Sequence, residues 1–252
     1  MFFYLILSVF IFICTFFIIA IVKKDNSIID IGWGLGFILI SVISLSFINK
    51  LELKHLIINT LTIIWGLRLS IYLFIRNHKK GEDFRYKKWR DEWKNYFIIR
   101  SFFQVFLLQG VFMIIIALPI INTNSSSNFN FQINDFLGIL IWIFGFYFQA
   151  MSDYQLFKFK KDIKNKNKIM RYGLWKYTRH PNYFGEAVMW WSIFIISIGA
   201  KNELISLISP ITINFLLLKV SGVPMLEDKY KSNQEYLDYI KNTSSFIPKF
   251  KI

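Results

Sequence analysis

Residues 171–186 hold the densest set of side chains in this chain that could do chemistry. They read Arg-Tyr-Gly-Leu-Trp-Lys-Tyr-Thr-Arg-His-Pro-Asn-Tyr-Phe-Gly-Glu and join a basic stretch to an apolar run. Pro181 disfavours helix at the residue before it and suits the first turn of a helix that follows. The N–H groups of that turn, together with Arg179, would attract an anion, and Tyr177 and Tyr183 offer flat surfaces for a ring system. We therefore predict a ligand site here; the alternative is an interfacial belt that anchors a helix.

Polar residues inside apolar runs mark further candidate positions. Arg68 lies in the middle of one run and Asp153 at the end of another. A charge at that depth costs about 3 kcal/mol unless it is paired or faces a wet cavity, so a functional role or an ion pair is expected for both. Gln104 and Gln109 are interpreted as helix–helix hydrogen-bonding residues, and the glycines of residues 32–36 as points of close helix contact.

Seven apolar runs must position these side chains. Residues 2–22 carry no charge over 21 residues, which is long enough to cross a hydrocarbon core of about 30 Å. They lack the basic start and the cleavage site of a signal peptide. The further runs are residues 31–49, 56–75, 96–121, 136–157, 183–200 and 204–220. The sequence thus predicts an all-α polytopic membrane bundle of about seven transmembrane helices, in which the last two runs could form one bent or re-entrant pair.

The charges between the runs predict the orientation of the chain. Residues 76–100 carry nine Lys or Arg, and so do residues 158–179, whereas the intervening loops are nearly bare. The positive-inside rule then puts the N-terminus outside and the C-terminus in the cytoplasm, and a bacterial inner membrane is the expected location. Because these loops meet anionic lipid, they account for the net charge of +14, and no nucleic-acid partner is expected.

The composition of the 252 residues excludes several classes. Apolar residues make up 54 %, which excludes disorder. Cys14 is the single cysteine and the three histidines are scattered, so neither a disulfide scaffold nor a metal site is expected. We predict one integral membrane domain over residues 1–252, with a core cofactor motif at 149–190. A cytoplasmic tail at 225–252 should contain an amphipathic helix over residues 225–240.

Several motifs besides residues 171–186 carry a family resemblance. They are Asp30-Ile31-Gly32-Trp33-Gly34, Trp65-Gly66-Leu67-Arg68, Gly81-Glu82-Asp83-Phe84-Arg85-Tyr86, the stretch from Asp153 to Lys160, Ser221-Gly222-Val223-Pro224-Met225-Leu226-Glu227 and Phe246-Ile247-Pro248. Together they resemble the C-terminal domain of the steroid 5-alpha-reductase-like membrane enzymes, and most closely a bacterial subfamily of them. The resemblance implies a seven-helix reductase that binds NADPH in the cytoplasmic half of its bundle.

The resemblance also implies which residues hold the cofactor. In the steroid enzymes these are an Asp near the end of helix five, a basic residue about two turns on, the Tyr, Asn and Glu of the motif, and tyrosines of the C-terminal tail. Carried over to this chain, they are Asp153, Lys160, Tyr177, Asn182, Glu186, Tyr236 and Tyr239. Arg171, Arg179 and His180 complete the predicted cofactor set, in which the arginines neutralise phosphates. Glu186 and Tyr183 are the predicted catalytic residues.

The implied reaction is conjugate reduction of a lipophilic small molecule. Hydride passes from nicotinamide to the far carbon of a C=C bond while a donor polarises the adjoining carbonyl. The steroid enzymes take that donor from a Glu and a Tyr on early helices. In this chain Trp65 stands near the Tyr position and the second run holds no acid, so Tyr72, Tyr86, Glu82 and Asp83 are the available substitutes.

Two other functions stay open. Membrane methyltransferases of the isoprenylcysteine carboxyl type share an Arg-His-Pro-x-Tyr turn, a Glu after it and a Tyr-x-x-Tyr tail, and they would hold S-adenosylmethionine in the same pocket. Residues 81–86, Asp153 and the combination of Asn182 with Glu186 favour the reductase. A non-catalytic membrane protein would use Arg68 and Asp153 as ion-pairing residues of the bundle.

Overall fold

The computed structural model describes residues 1–78, 80–166 and 168–250, and this part of the chain is helical without a β-strand. The α-helices are α1 Phe2–Lys23, α2 Ile28–Leu45, α3 Leu53–Asn77, α4 Phe84–Trp93, α5 Phe97–Arg100, α6 Leu108–Ile116, α7 Leu118–Asn124, α8 Ile133–Lys161, α9 Pro181–Ile196, α10 Glu203–Ser206, α11 Ile208–Phe215, α12 Val223–Tyr230 and α13 Gln234–Asn242. Two π-helical segments, Ser101–Leu107 and Leu216–Val220, continue α5 and α11. The predicted all-α class is confirmed.

Six helical segments of the described chain are long and apolar enough to cross a membrane. They are Phe2–Lys23, Ile28–Leu45, Leu53–Asn77, Phe84–Ile116, Ile133–Lys161 and Glu203–Asp228. The chain therefore fits a multi-pass membrane protein. Helix α9 covers only residues 183–196 of the predicted run at residues 183–200. Its 16 residues rise only about 24 Å, so the count of seven spans is not confirmed.

The tail differs from the single amphipathic helix expected over residues 225–240. Helix α12 ends at Tyr230, and α13 starts only at Gln234. The break has a local cause, because the side chain of Asn233 accepts the N–H of Tyr236 at 3.0 Å and thereby caps a new helix. The prediction of one continuous helix is wrong for this reason.

The chain divides into two compact units. The first unit comprises Met1–Gln132 and Ser197–Ser209, and the second comprises Ile133–Ile196 and Pro210–Ile252. The residues proposed as a nucleotide site all fall in the second unit. The prediction of one integral membrane domain stays a prediction.

Within the first unit, α2 and α3 touch through glycines. A Cβ added at Gly34 would lie 2.4 Å from the carbonyl oxygen of Gly66 and 2.6 Å from the hydroxyl of Ser70. The Ser70 hydroxyl donates to the carbonyl of Ile31 at 2.8 Å. Small residues let two helices approach closely, and the interpretation of the glycines at 32–36 as helix contacts is confirmed at Gly34.

An ion-pair cluster holds the start of α2 in the same unit. The carboxylate of Asp30 accepts from Arg85 at 2.5 Å and from the Tyr86 hydroxyl at 2.6 Å. Arg85 also donates to Asp83 at 2.9 Å. Burial raises the pKa of Asp83, but the charge and hydrogen bonds of Arg85 outweigh it and leave that pKa below its ordinary value. The interpretation of Gln104 and Gln109 as helix–helix hydrogen-bonding residues stays a prediction.

Candidate functional site

Helices α8 and α9 pack antiparallel in the second unit, and the closest point of contact is between two glycines. A Cβ added at Gly185 would lie 2.5 Å from the carbonyl oxygen of Gly145 and 2.6 Å from the backbone nitrogen of Gln149. A Cβ at Gly145 would meet the Gly185 carbonyl at 2.8 Å and Met189 at 2.9 Å. Only residues without a side chain permit this approach, which brings the polar residues on either side of the glycines together.

Two polar side-chain pairs bridge α8 and α9 next to the glycine contact. The amide of Asn182 donates to Asp153 at 3.2 Å, and the amide of Gln149 donates to Glu186 at 3.1 Å. The two members on each helix are four residues apart, so they share a face one turn apart. Gln149, Asp153 and Glu186 are all buried, with Asp153 4 % and Glu186 8 % exposed. Buried carboxylates of this kind are frequent at functional sites.

The side-chain amide of Asn182 also carries a buried hydrogen-bond acceptor, its Oδ1 atom. Its Oδ1 has no hydrogen-bond partner within the described part of the chain. A buried amide oxygen without a donor costs about 1–3 kcal/mol, so this atom is suited to a ligand N–H. The predicted residues Asp153, Asn182 and Glu186 are thus brought together as expected, and Gln149 joins them.

The turn before α9 is fixed to α8 by backbone contacts. The indole of Trp175 donates to the carbonyl of Ser152 at 3.0 Å, and the side chain of Gln155 accepts the N–H of Leu174 at 3.0 Å. Gly173 has a positive φ of 59°, a conformation that glycine adopts without strain. Pro181 is the first residue of α9, which confirms the predicted helix start.

Arg179 and His180 share one carboxylate partner in α12. Arg179 donates to Oε1 of Glu227 at 3.0 and 2.7 Å, and His180 Nε2 lies 3.3 Å from the same oxygen. Arg179 also donates to the carbonyl of Thr243 at 2.5 Å. The His180 ring stacks on Tyr183 at 5.6 Å between centroids. The stacking packs the Tyr183 ring on His180, whereas the predicted phosphate-binding role of Arg179 stays a prediction.

The C-terminal segment crosses the same turn. Thr178 and Ser244 form a parallel β-bridge, and the Thr178 hydroxyl donates to the carbonyl of Phe246 at 2.9 Å. The carbonyl of Tyr177 accepts the N–H of Lys249 at 3.0 Å, and its ring packs against Phe250 at 4.8 Å. The tail therefore covers the predicted cofactor residue Tyr177 from one side.

Tyr236 and Tyr239 lie under the turn as buried residues of α13. The Tyr239 hydroxyl contacts the carbonyl oxygens of Trp175 and Thr178, and the two tyrosine rings pack edge to face at 6.1 Å. Burial, reinforced by the charge of Glu227, raises the pKa of Tyr236 to about 12. Burial likewise raises the pKa of Tyr239. Both therefore stay neutral hydrogen-bonding groups at physiological pH.

The remaining two predicted cofactor residues lie at the surface. Lys160 is exposed in the last turn of α8. Arg171 pairs with Glu235 at 2.7 Å, and both side chains are partly exposed. They lie outside the buried cluster of the site, and their roles as phosphate ligands stay predictions. Among the described residues, no group of three His, Cys, Asp or Glu side chains could share a metal ion.

Sequence reasoning missed two members of this arrangement. Glu227 belongs to a motif that carries the family resemblance, but it lies 48 positions from Arg179, and no periodicity connects the two. Gln149 is the first residue of the predicted cofactor motif at 149–190 and had no predicted role of its own, although it precedes Asp153 by one helical turn and faces the same way. An intramembrane polar pair at this spacing is the signal.

Comparison with known families gives a match that covers most of the chain. Residues 16–243 match the model of the family described as "Protein of unknown function (DUF1295)". The chain belongs to this family. In this DUF1295 protein the matched residues include the paired side chains of α8 and α9, Glu227 and both buried tyrosines. No curated protein and no solved structure matches the chain. No steroid 5-alpha-reductase family model matches either, so that resemblance stays a prediction.

Proposed function

We propose that this protein is a membrane-embedded NADPH-dependent reductase that reduces a C=C bond conjugated to a carbonyl in a lipophilic substrate. The observation that carries the proposal is the pair of polar contacts between α8 and α9, Asp153 with Asn182 and Gln149 with Glu186. Burying Gln149, Asp153 and Glu186 at a helix contact is costly unless they are used. A nucleotide that hydrogen-bonds to them would repay that cost.

The hydrogen-bonding and charged groups of these residues fit a dinucleotide. The Asp153 carboxylate can accept from a ribose hydroxyl, and the buried Asn182 Oδ1 can accept an N–H of the carboxamide. The basic residues at 158–179 supply charge for the phosphates. Tyr177 and Tyr183 offer ring faces. Bound there, the cofactor would supply hydride for the conjugate reduction.

The chain's own residues would orient the reactants. Gln149 holds the Glu186 carboxylate by its amide, and His180 fixes the ring of Tyr183 by stacking. We assign Glu186 and Tyr183 as the catalytic residues, one helical turn apart on α9, where a phenol can polarise the substrate carbonyl. The apolar faces of α8 and α9 would exclude water from the site.

The proposal includes a topology. Helix α9 would act as a seventh, shorter membrane segment that pairs with α8, with the N-terminus outside and the C-terminus in the cytoplasm. Support comes from the charge pattern, because residues 76–100 and 158–179 each carry nine basic residues and the positive-inside rule places such loops on the cytoplasmic side. The proposed location is a bacterial inner membrane, which is also the source of a lipophilic substrate.

The test is ligand protection of the protein in detergent. The melting temperature is measured with NADPH, NADH and S-adenosylmethionine, and NADPH is expected to raise it most. Asn182→Ala and Glu186→Gln should abolish that protection while leaving membrane insertion intact. Asn134→Ala is the matched control, since it removes an asparagine hydrogen bond to the Ile195 carbonyl at the far end of the same helix pair.

Each alternative outcome has a definite meaning. Protection by S-adenosylmethionine alone overturns the reductase and assigns a methyltransferase. Protection by none of the three in the wild-type protein favours a non-catalytic membrane protein. Protection that survives both α9 substitutions places the nucleotide elsewhere. A protected wild-type protein is then given a lipophilic enone, and consumption of NADPH measures the reaction.

A further inference from the structure

A cleft of about 240 Å³ lies in the first unit beside the end of α1, and none of its lining residues belongs to the proposed nucleotide site. Its apolar lining comes from α1 and α5: Phe17, Ala20, Ile21, Phe97 and Ile98. Its polar lining is Lys24, Asn26, Arg90 and Ser101. Apolar walls with a cationic edge suit an amphiphile that carries a negative charge at one end.

Arg90 is held in a fixed position at that edge. Its guanidinium binds the two carboxylate oxygens of Glu82 at 2.8 and 2.7 Å and lies over the Phe97 ring at 3.9 Å. Glu82 also accepts the backbone N–H of Asn26 at 2.9 Å, which ties the pair to the chain after α1. A guanidinium has five N–H groups, so the two hydrogen bonds to Glu82 leave other N–H groups that can donate to a further oxyanion.

Lys24 supplies the second cation. It is exposed and ends α1 in the left-handed conformation, with φ 53°. The described lining of the cleft contains two cationic side chains, Lys24 and Arg90, and no carboxylate, so its edge presents positive charge. An anionic group is therefore favoured over a zwitterion here.

The apolar walls extend from this edge along the membrane segments. Phe17 precedes Lys24 by seven residues, which is about 10 Å of helix. Ile21 is 41 % and Ile98 is 56 % exposed, so the cleft opens toward the surroundings of the helices. Sites that enclose a drug-sized ligand measure about 300–1,000 Å³. A smaller, open cleft fits a ligand whose chain continues into the bilayer.

The polar wall of the cleft also contains an irregular helix. Ser101 begins the π-helical segment Ser101–Leu107, and its hydroxyl accepts the side-chain amide of Asn26 at 2.9 Å. Segments of π-helix are rare and occur often at functional sites. Here the segment follows directly on the side chains that line the cleft.

We propose that this cleft binds an anionic phospholipid, with the head-group phosphate between Lys24 and Arg90 and an acyl chain along the apolar residues of α1 and α5. The Arg90–Glu82 pair presents the guanidinium, and Lys24 completes the phosphate contact. The site does not depend on the proposed reductase reaction, because its residues and those of the nucleotide site are different.

Native mass spectrometry of the purified protein tests the proposal. The protein is given equal amounts of phosphatidylglycerol and phosphatidylcholine with the same acyl chains, and bound lipid is counted. We expect phosphatidylglycerol to be retained preferentially. Lys24→Gln should weaken that retention about fivefold, the factor for one basic residue beside anionic lipid. Lys23→Gln is the matched control, since it removes the same charge from the neighbouring residue, which does not line the cleft.

Three results would overturn the proposal. The first is equal retention of the two lipids by the wild-type protein. The second is an equal effect of Lys24→Gln and Lys23→Gln, which would indicate general surface charge. The third is an equal rise in melting temperature with inorganic phosphate and with phosphatidylglycerol, which would assign a site for free anions instead of a lipid site.

Discussion

Two helix pairs in this chain, α2 with α3 and α8 with α9, are joined by the same kind of glycine contact and differ in what surrounds it. Next to Gly34 and Gly66 lie the Ser70 hydroxyl, which is bound to a backbone carbonyl, and the Trp65 ring, which packs on Phe37 at 5.3 Å. Next to the contact in the second pair lie four polar side chains that form two hydrogen-bonded pairs across the helices. Close packing alone therefore does not mark a site, and the polar pairs distinguish α8 and α9.

The largest expected effects come from breaking one ion pair at the start of α2 and another just before α9. Arg85→Gln removes the arginine that pairs with Asp30 of α2. Arg179→Gln removes the arginine that lies just before α9 and pairs with Glu227. Removing either arginine takes charge-assisted hydrogen bonds from a partly buried carboxylate, so each change should lower the free energy of unfolding by about 3 kcal/mol. Limited proteolysis should separate the two, because only Arg179→Gln releases residues 243–250. A tail that stays protected in that variant would show that Arg179 does not hold it.

Alanine at the contact glycines should have the next largest effect. Gly34→Ala and Gly185→Ala each place a Cβ within 2.5 Å of a backbone oxygen, and such overpacking costs about 1–3 kcal/mol. Both should lower the melting temperature, but only Gly185→Ala should also abolish protection by NADPH. Gly81→Ala is the control, since a Cβ there meets nothing within 4 Å. Loss of protection in Gly34→Ala would remove the distinction between the pairs.

A smaller effect is expected when one hydrogen bond is removed from each pair. Gln149→Met keeps the side-chain volume and removes the donor to Glu186, while Ser70→Ala removes the donor to the Ile31 carbonyl. Each should cost about 1 kcal/mol of stability. Protection by NADPH should weaken in Gln149→Met and persist in Ser70→Ala. Equal protection in both would mean that Glu186 needs no orienting partner.

The smallest effect concerns how the stability of the C-terminal tail, which packs on the turn before α9, depends on pH. Burial raises the pKa of Tyr236 from about 10 in the unfolded chain to about 12. Its contribution to stability is therefore complete below pH 10 and is lost as the pH rises through 12. Between pH 9 and 11 the free energy of unfolding, measured by chemical denaturation, should fall about 1 kcal/mol more in the wild-type protein than in Tyr236→Phe. Identical profiles would show that Tyr236 is exposed to water.

Much of the fold follows from the length of the apolar runs. A helix that crosses lipid needs about 20 apolar residues, so the first five runs correspond to described helical segments. Residues 183–200 are not confirmed as a span, because the helix stops at Ile196, although the residues after it are still apolar in part. Hydropathy measures composition along the chain and does not locate the end of a helix.

The site was predictable where its members lie close in sequence. Pro181 set the start of α9, and the spacing of Asn182 and Glu186 put both on one face. The partner of Arg179 could not be inferred, because Glu227 is distant in the chain and several acids in the tail carry equal charge. The break at Asn233 was missed since an N-cap acts locally and competes with the amphipathic pattern.

The contact between Arg179 and Thr243 joins residues 64 positions apart, and this has a consequence during synthesis. A ribosome adds about 5–20 residues per second, so roughly 3–13 s pass between translation of the turn and translation of its partner. The helical hairpin can therefore enter the bilayer well before the proposed nucleotide site is completed. When a bulky protein is fused directly after Thr243, we expect the chain to insert into the membrane without completing the proposed nucleotide site.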